Sequence, residues 1–372
     1  MPLGHVQLDR IRLLRTPHVG PATYRQLLAR FSSAGEALAA LPELAARGGG
    51  RLTCPSEAAI SAEATRVERA GARYLFHDDA DYPALLRQAP GAPPILIARG
   101  DTALAARSPV ALVGARNASA AALRLARQFG GDLSRAGHTV VSGLARGIDG
   151  AAHKAALAAG GAGTIAVIAS GIDIAYPPEH AALQEQIAEE GLLLTELPPG
   201  TEPTNRHFPA RNRIIAALAT GTVVVEAAFK SGSLITARLA GEFSREVMAV
   251  PGSPLDPRSH GCNQLIREGA ILVQRAEDVI ELVTSFHGTP RSTFREDGES
   301  YEIEEVGRIE GRGLGDGDDP ATIAALLTTA PVAVDELVRL SGQGAGAVQL
   351  ALIELELAGR LTRHAGGRVS LA

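Results

Sequence analysis

The 372-residue sequence has few of the residues on which several kinds of structure depend. It contains no tryptophan, two methionines and two cysteines, Cys54 and Cys262, which form neither a disulfide framework nor a zinc-site spacing. No apolar run approaches the roughly 18 residues of a membrane span. The N-terminus has no signal-peptide pattern. We therefore expect a cytoplasmic protein with no structural metal and no membrane association.

Excess positive charge is also absent. The formal net charge is −5, so the chain has no global basic footprint, and any site for a polyanion must be a local patch. The acidic charge is concentrated in residues 289–319, which hold ten acidic residues and four arginines. Lys154 and Lys230 are the two lysines of the sequence, and all other basic residues apart from histidines are arginines.

Residues 1–71 show apolar residues at helical spacing on both sides of the turn Pro17-His18-Val19-Gly20-Pro21. This pattern is typical of a small helical domain of the helix-hairpin-helix or SAM-like kind. The glycine turn of such a unit can approach a DNA phosphate. A packing module without DNA contact explains the same pattern.

Residues 72–287 predict an α/β domain. Residues 72–110 indicate an extended lead-in, and short apolar runs then alternate with helical stretches. The predicted strands are Val110–Val113, Thr139–Val141, Thr164–Ile168, Leu192–Leu194, Thr222–Val225, Val247–Val250 and Ile271–Val273. Their apolar residues are continuous rather than alternating, as in parallel strands covered on both faces. We therefore predict a doubly wound, mostly parallel Rossmann-like sheet.

The C-terminal part divides in two. Residues 288–319 are acidic and glycine-rich, which predicts a flexible linker. Residues 320–372 contain three helical patterns and then two short strands around Ala365-Gly366-Gly367, an order typical of a winged helix. From Asp319 onward there are four arginines and five acidic residues. This balance favours a protein-interaction or weak duplex-binding role over a basic DNA-reading wing.

Polar loops follow the predicted strands. Ligands of open parallel sheets bind beyond the carboxyl ends of the strands, and free N–H groups at helix starts bind anions. Four of these loops combine glycines with cations or hydroxyls, which predicts a concave, positively charged site for a polyanion or a nucleotide. The candidate binding residues are Gly114, Arg116, Ser142, Gly143, Arg146, Gly147, Phe208, Arg211, Asn212, Arg213, Lys230, Ser231, Gly232 and Ser233.

Several details refine this prediction. Arg211 and Arg213 lie at a helix start, where acids are preferred, so a bound anion should compensate them unless they pair with Glu196 or Glu202. Asp149 is expected to cap the helix after the second strand. The sequence has neither the Gly-x-Gly-x-x-Gly fingerprint nor a P-loop. We therefore expect no dinucleotide cofactor, and we assign no catalytic residue.

Longer motifs, in order along the chain, resemble those of the DNA-processing A (DprA/Smf) family. They are Gly114-Ala115-Arg116, Ser142-Gly143-Leu144-Ala145-Arg146-Gly147-Ile148-Asp149, Phe208-Pro209-Ala210-Arg211-Asn212-Arg213-Ile214-Ile215, Lys230-Ser231-Gly232-Ser233-Leu234-Ile235-Thr236-Ala237, Ala249-Val250-Pro251-Gly252 and Gly261-Cys262-Asn263-Gln264-Leu265-Ile266. The resemblance is strong over residues 75–285 and weaker toward both ends. It implies an extended Rossmann fold that forms a homodimer and holds single-stranded DNA in a basic pocket.

The resemblance also implies a function without enzymatic turnover. Family members protect incoming DNA and help to load a RecA-type recombinase during natural transformation and recombination. The family's basic positions match Arg116 and Lys230, and its aromatic position matches Phe208. Ala115 replaces a hydroxyl residue of the family. Because aromatic residues are few, binding should depend on phosphate contacts, with one base stacked on Phe208.

Two alternatives remain open. Arg211-Asn212-Arg213 resembles the basic helix start of nucleotide phosphoribohydrolases. Those enzymes carry Pro-Gly-Gly-x-Gly-Thr-x-x-Glu where this chain has the segment from Glu226 to Ser233, so their catalytic glutamate arrangement is missing. The second alternative is a nucleotide-sensing module whose output is the winged helix.

Overall fold

A computed structural model of the chain describes residues 3–284, 320–364 and 366–372. The linker predicted for residues 288–319 lies outside these ranges. The described residues form two compact units, one of residues 63–284 and the other of the two ends of the chain. No sequence pattern indicated that the two ends belong together. The domain boundaries predicted above remain predictions.

Helices and strands alternate through most of the described chain. The strands are β1 (Arg73–Phe76), β2 (Ile95–Gly100), β3 (Val110–Val113), β4 (Val140–Ser142), β5 (Thr164–Val167), β6 (Leu192–Thr195), β7 (Gly221–Val224), β8 (Glu246–Ala249), β9 (Ile271–Leu272), β10 (Val332–Ala333), β11 (Leu361–His364) and β12 (Arg368–Leu371). The α-helices are α1 (His5–Arg15), α2 (Pro21–Arg30), α3 (Ala34–Arg47), α4 (Glu57–Arg69), α5 (Ala84–Arg87), α6 (Ala120–Arg135), α7 (Ile148–Ala158), α8 (Ala181–Glu190), α9 (His207–Leu218), α10 (Gly232–Glu242), α11 (His260–Arg267), α12 (Ala276–Thr284), α13 (Pro320–Leu326), α14 (Val334–Ser341) and α15 (Ala345–Leu357).

The large unit is built on a nine-stranded sheet with the order β1-β2-β6-β5-β4-β3-β7-β8-β9. Strands β3 to β9 are parallel, which confirms the predicted Rossmann-like architecture. Strands β1 and β2 pair antiparallel with each other, and β2 pairs antiparallel with β6. The expected extended lead-in therefore contributes two strands at one side of the sheet, β1 at the edge and β2 between β1 and β6. Its prolines, Pro93 and Pro94, directly precede β2 and obscured this strand in the sequence.

The central strands are buried on both faces. In β3, Ala111 and Val113 join one hydrophobic core, whereas Val110 and Leu112 join the core on the opposite face. Phe129 of α6 belongs to the second core and is 1% exposed. Helices on both faces remove every β3 side chain from water, which explains the continuous apolar run in the sequence.

The order in which the chain adds strands to the sheet changes direction at β3. From β3 it proceeds outward through β4, β5 and β6, and it then returns to the other side of β3 to form β7 and β8. Such a topological switch point opens a crevice at the carboxyl ends of the central strands. The fold thus fixes where a ligand would bind in this unit.

The second compact unit combines the N-terminal helices with a C-terminal module. Helices α13, α14 and α15 pack on a three-stranded sheet of order β10-β12-β11, which confirms the predicted winged helix. Among the described residues, no helix is long and apolar enough to cross a membrane. The same residues contain no cluster of three or more His, Cys, Asp or Glu side chains that could hold a metal ion.

Candidate nucleic-acid interface

Three of the predicted binding loops meet at the carboxyl edge of the sheet, beyond β3, β4 and β7. The Ala115 N–H donates to the Glu226 carbonyl at 2.7 Å, and the Ile148 N–H donates to the Ala115 carbonyl at 3.3 Å. The Glu226 carboxylate also accepts from the Ser119 N–H at 3.0 Å. The loops are therefore joined to one another. Glu226, which was not among the predicted site residues, contributes the two oxygens that join the loop after β3 to the loop after β7.

Glycine is required where these loops cross. Gly147 has a φ of +74°, and a Cβ there would lie 2.2 Å from the Ala115 carbonyl oxygen. A Cβ on Gly114 would lie 2.6 Å from Cγ1 of Ile148. These two glycines are among the predicted binding residues, and in the structure they let the loops approach each other.

An exposed cation–aromatic surface lies beside these loops. The Arg116 guanidinium lies over the ring of Phe208, 4.7 Å from its centroid. The Phe208 ring in turn contacts Tyr176, with 5.5 Å between centroids and 47° between planes. Arg116 and Tyr176 are exposed, and Phe208 is half-buried. The arrangement offers ring faces for a base and a cation for a phosphate.

Tyr176 is a functional candidate that the sequence interpretation missed. It lies in the loop after β5 and directly precedes Pro177 and Pro178. Its side chain is 41% exposed. Exposure of a large aromatic side chain beside a cation is the signal that marks it, and that signal is visible only in three dimensions.

Arg146 lies in the loop after β4 and is exposed. Its guanidinium forms an ion pair with Glu179, and this hydrogen bond raises the pKa of Arg146 and lowers that of Glu179. Ion pairs at such exposed positions contribute little stability, because water solvates both partners. Arg146 can therefore exchange Glu179 for a phosphate at small cost.

The segment from Lys230 to Ser233 forms the start of α10 and resembles a phosphate cradle. Lys230 is exposed and has a φ of +64°, a conformation that is uncommon outside glycine. The hydroxyl oxygens of Ser231 and Ser233 lie 2.8 Å apart. Asn212 Nδ2 donates to the Gly232 carbonyl at 3.2 Å and links this loop to α9. A cation, two hydroxyls and a helix N-terminus thus lie in one turn, in which Lys230 is exposed and Ser233 is buried.

Arg211 lies elsewhere than the sequence indicated. It was expected to be compensated by a bound anion or by Glu196 or Glu202, but it is 5% exposed, and its guanidinium donates to the carbonyl of Gly143 at 2.5 Å and to that of Val167. Burial lowers the pKa of Arg211 to about 10. A Cβ on Gly143 would lie 2.3 Å from Nη1 of Arg211, so a side chain there would displace the guanidinium. The buried Arg211 side chain therefore holds the loops after β4 and β5 through their backbone carbonyls.

Two further predicted residues also have internal partners. Arg213 forms an ion pair with Glu196, the pairing considered above as an alternative to a bound anion, and donates to the Gly91 carbonyl at 2.6 Å. The Ser142 hydroxyl is fully buried and donates to the Leu112 carbonyl at 2.6 Å. The predicted cations that extend into solvent are therefore Arg116, Arg146 and Lys230.

Asp149 was expected to cap the helix after β4, but its carboxylate instead closes the loop between β4 and that helix. It accepts hydrogen bonds from the N–H groups of Gly143 and Ala145 at 3.0 and 3.3 Å. Burial raises the pKa of Asp149, while the positive charge of Arg211 and the backbone N–H groups oppose that rise. The Arg211 guanidinium and the Asp149 carboxyl group thus interact electrostatically beneath the loop.

His153 is held neutral by its hydrogen bonds. The Thr164 hydroxyl donates to the Val140 carbonyl at 2.7 Å, so its oxygen accepts from Nδ1–H of His153, also at 2.7 Å. The other ring nitrogen, Nε2, accepts from the Leu144 N–H at 3.3 Å. Both ring nitrogens are thus committed in the neutral tautomer. Burial, aided by His180 and Arg211, lowers the pKa of His153 to about 3.

Replacing Arg211 with methionine should lower the free energy of unfolding by about 3–5 kcal/mol, because it removes the donor of the Gly143 and Val167 carbonyls and the positive charge that acts on the buried Asp149 carboxyl group. Urea denaturation measures this loss. The exposed Arg206, at the start of the same helix, provides the matched control, and Arg206→Met should cost less than about 0.5 kcal/mol. In Arg211→Met/Asp149→Asn the loss should be smaller than the sum of the single losses. Equal stability of Arg211→Met and Arg206→Met would contradict the supporting role.

The low pKa of His153 makes the protein sensitive to acid. Between about pH 6.5 and pH 3 the unfolded chain binds a proton that the folded chain excludes. The contribution of His153 to the free energy of unfolding is therefore fully present above pH 6.5. It decreases as the pH falls, by up to about 1.4 kcal/mol per pH unit. His153→Gln should flatten this dependence in urea denaturation at several pH values, whereas His207→Gln, at a half-exposed position, should retain it. An unchanged slope in His153→Gln would show that other groups cause the acid sensitivity.

Comparison with protein families identifies the three parts of the chain. The family DNA recombination-mediator protein A matches residues 73–284, more than half of the chain. The DprA-like N-terminal HHH domain matches residues 5–65, and the DprA winged helix domain matches residues 314–367. The predicted helix-hairpin-helix and winged-helix parts are thereby confirmed.

Individual relatives agree with these matches. Protein Smf of Synechocystis is 36% identical over 322 residues, which cover 80% of this chain and 79% of the relative. The crystal structure of DNA processing protein A from Streptococcus pneumoniae superposes with a TM-score of 0.61 at 35% identity and covers 76% of this chain and 98% of that one. DNA processing protein A from Helicobacter pylori, described for its single-stranded DNA binding mode, has a TM-score of 0.52 at 28% identity and covers 58% and 97%. The chain belongs to the DprA/Smf family of DNA recombination-mediator proteins.

Proposed function

We propose that this chain is a single-stranded DNA-binding protein that protects incoming DNA and helps to load a RecA-type recombinase during natural transformation and recombination. The observation that carries the proposal is the surface of exposed Arg116 and Tyr176 and half-buried Phe208. Asn212, on the same helix as Phe208, bonds to the turn that carries Lys230. The binding mode described for the H. pylori relative supports the proposal.

The chemistry of this surface favours a single strand over a duplex. Ring faces such as those of Phe208 and Tyr176 stack on bases, and base faces are free in a single strand but covered in a duplex. Arg116 lies over the Phe208 ring and can bind the phosphate of a nucleotide stacked there. Lys230 and Arg146 add cations at the same sheet edge. Stacking and phosphate contacts are both tolerant of sequence, so we expect little sequence preference.

The homodimer and the recombinase contact implied by the family resemblance are part of the same proposal. The sheet ends at the two-residue strand β9, where Leu272 is 47% exposed. An exposed apolar residue on an edge strand is a feature of surfaces that pair with another chain. Sedimentation of wild type and Leu272→Glu tests whether this edge contributes to a dimer.

The enzyme alternative receives no support from the geometry. A hydrolase acting on a nucleotide would need an accessible carboxylate in the loop after β7. The carboxylate in that loop, Glu226, is 6% exposed and accepts from the Ser119 N–H at 3.0 Å. The Glu226 carboxylate therefore has a structural role, which is to join the loops. We therefore propose binding without turnover, and release of free base from a nucleoside monophosphate would contradict this part of the proposal.

Replacing Lys230 with alanine should weaken binding to labelled oligo-dT and reduce the slope of log Kd against log salt by about 0.7, the contribution of one phosphate contact in a single strand. Fluorescence anisotropy at several salt concentrations, with a duplex in parallel, measures both quantities. Lys154→Ala, at the other lysine of the chain, makes the same charge change at an exposed position of α7 and should leave the slope unchanged. Equal slopes in wild type and both variants would remove Lys230 from the interface.

Replacing Phe208 with alanine should cost about 1–3 kcal/mol per stacked base, equivalent to at least about fivefold in Kd for oligo-dT. Phe208→Tyr keeps the ring and should retain the affinity. An abasic oligomer of the same length has no base to stack, so wild type and Phe208→Ala should bind it equally. If Phe208→Ala lost as much affinity for the abasic oligomer, the ring would act by supporting Arg116. If mononucleotides displaced the oligomer, the sensing alternative would be favoured.

A further inference from the structure

Helix α15, the last helix of the winged helix, is apolar on two opposite faces. Val348, Leu352 and Leu355 form one stripe at helical spacing, which joins the core of the winged helix itself. Leu350, Ile353 and Leu357 form a second stripe, each 4% exposed or less. A helix with two apolar faces must be covered on both of them.

The N-terminal helices cover the second stripe. It belongs to a hydrophobic cluster that includes Leu13 of α1, Leu27 of α2 and Leu41 of α3, and α3 packs directly against α15. All three leucines are fully buried. The N-terminal helical module, defined here as α1 to α3, therefore shares one hydrophobic core with a helix more than 300 residues later in the chain.

Polar contacts surround this shared core. Thr23 donates to the Glu356 carboxylate at 2.6 Å, and Gln26 donates to Gln349 at 2.8 Å. Arg47 forms an ion pair of 3.0 Å with Glu354, whose side chain is fully buried. A hydrogen-bonded rim around an apolar centre is the anatomy of a specific protein interface.

The backbones at this interface are close enough to require glycine. A Cβ on Gly48 would lie 2.1 Å from the carbonyl oxygen of Glu354, and one on Gly50 would lie 2.5 Å from the Cα of Ala358. Both contacts involve backbone atoms, which cannot move aside as a flexible side chain can. The fit therefore depends on the absence of side chains at the end of α3 and directly after it.

The chemistry of this face is opposite to that of a DNA-reading helix. Helix-turn-helix proteins place the exposed face of the recognition helix in the major groove, where arginine, lysine, asparagine and glutamine read the bases. The corresponding face of α15 presents Leu350, Ile353 and Leu357 together with the acids Glu354 and Glu356. We infer that α15 is a docking surface for the N-terminal helical module of the same chain and does not read duplex DNA.

Cross-linking in the full-length protein tests the docking in solution. Gln26→Cys/Gln349→Cys places two thiols where the side chains are hydrogen-bonded, and a short bis-maleimide should join them within one chain in high yield. Gln26→Cys/Leu340→Cys is the matched control, because Leu340 lies on α14 and is 55% exposed. Single variants measure the background from half-buried Cys54 and buried Cys262. Cross-links between two chains, or equal yields in both pairs, would overturn docking within one chain.

A wedge variant tests the consequence for DNA binding. Gly50→Val replaces no residue of the hydrophobic cores but should force the interface apart and reduce the cross-linking yield several-fold, whereas Gly20→Val, where a Cβ meets nothing within 4 Å, should not. Because α15 does not read DNA, Gly50→Val should bind a labelled duplex as wild type does. A gain of about tenfold, the effect of a single good base contact, would overturn the inference and show that the N-terminal module masks a DNA-reading helix. A wedge variant that retained full cross-linking would contradict the interface itself.

Discussion

The buried guanidinium of Arg211 is the contact on which the geometry of the candidate interface depends. It joins the start of α9 to the carbonyls at the ends of β4 and β5, and it opposes the buried Asp149 carboxylate. A cation removed from water must be compensated by hydrogen bonds and by a countercharge, so this arrangement admits few alternatives. The position of this guanidinium explains the glycine at position 143, since a side chain there would overlap the guanidinium. The position of Phe208, near the start of the same helix, follows as well.

The interface thus separates two kinds of ionisable group by depth. Buried groups, namely Arg211, Asp149, His153 and Glu226, hold the loops and have hydrogen-bond partners within the protein. The exposed cations, Arg116, Arg146 and Lys230, extend from those loops toward solvent. A local basic surface can therefore exist on a chain with a net charge of −5, because a polyanion within a Debye length responds mainly to the charges nearest to it.

The two ends of the chain solve a different physical problem. Neither the N-terminal helical module nor the winged helix buries all of its apolar surface alone, because small domains have a high ratio of surface to volume. The second apolar stripe of α15 completes the core of the N-terminal helices, and those helices keep that stripe out of water. Specific contacts, such as Thr23 with Glu356, fix the orientation of the two modules.

The sequence by itself determined the α/β class, the parallel strands and the loops of the interface, because continuous apolar runs and glycine-rich loops are local patterns that few structures satisfy. Its family motifs located Arg116, Phe208 and Lys230, which the structure brings to one edge of the sheet. The tertiary structure alone decided which cations are buried, because burial depends on packing between distant strands. Arg211 and Arg213 look alike in sequence, but Arg211 bonds to backbone carbonyls and Arg213 pairs with Glu196. It also decided that Tyr176 lies beside Phe208, that residues 72–110 extend the sheet, and that α15 packs on the N-terminal helices. These are contacts between residues far apart in the chain, and no local pattern encodes them.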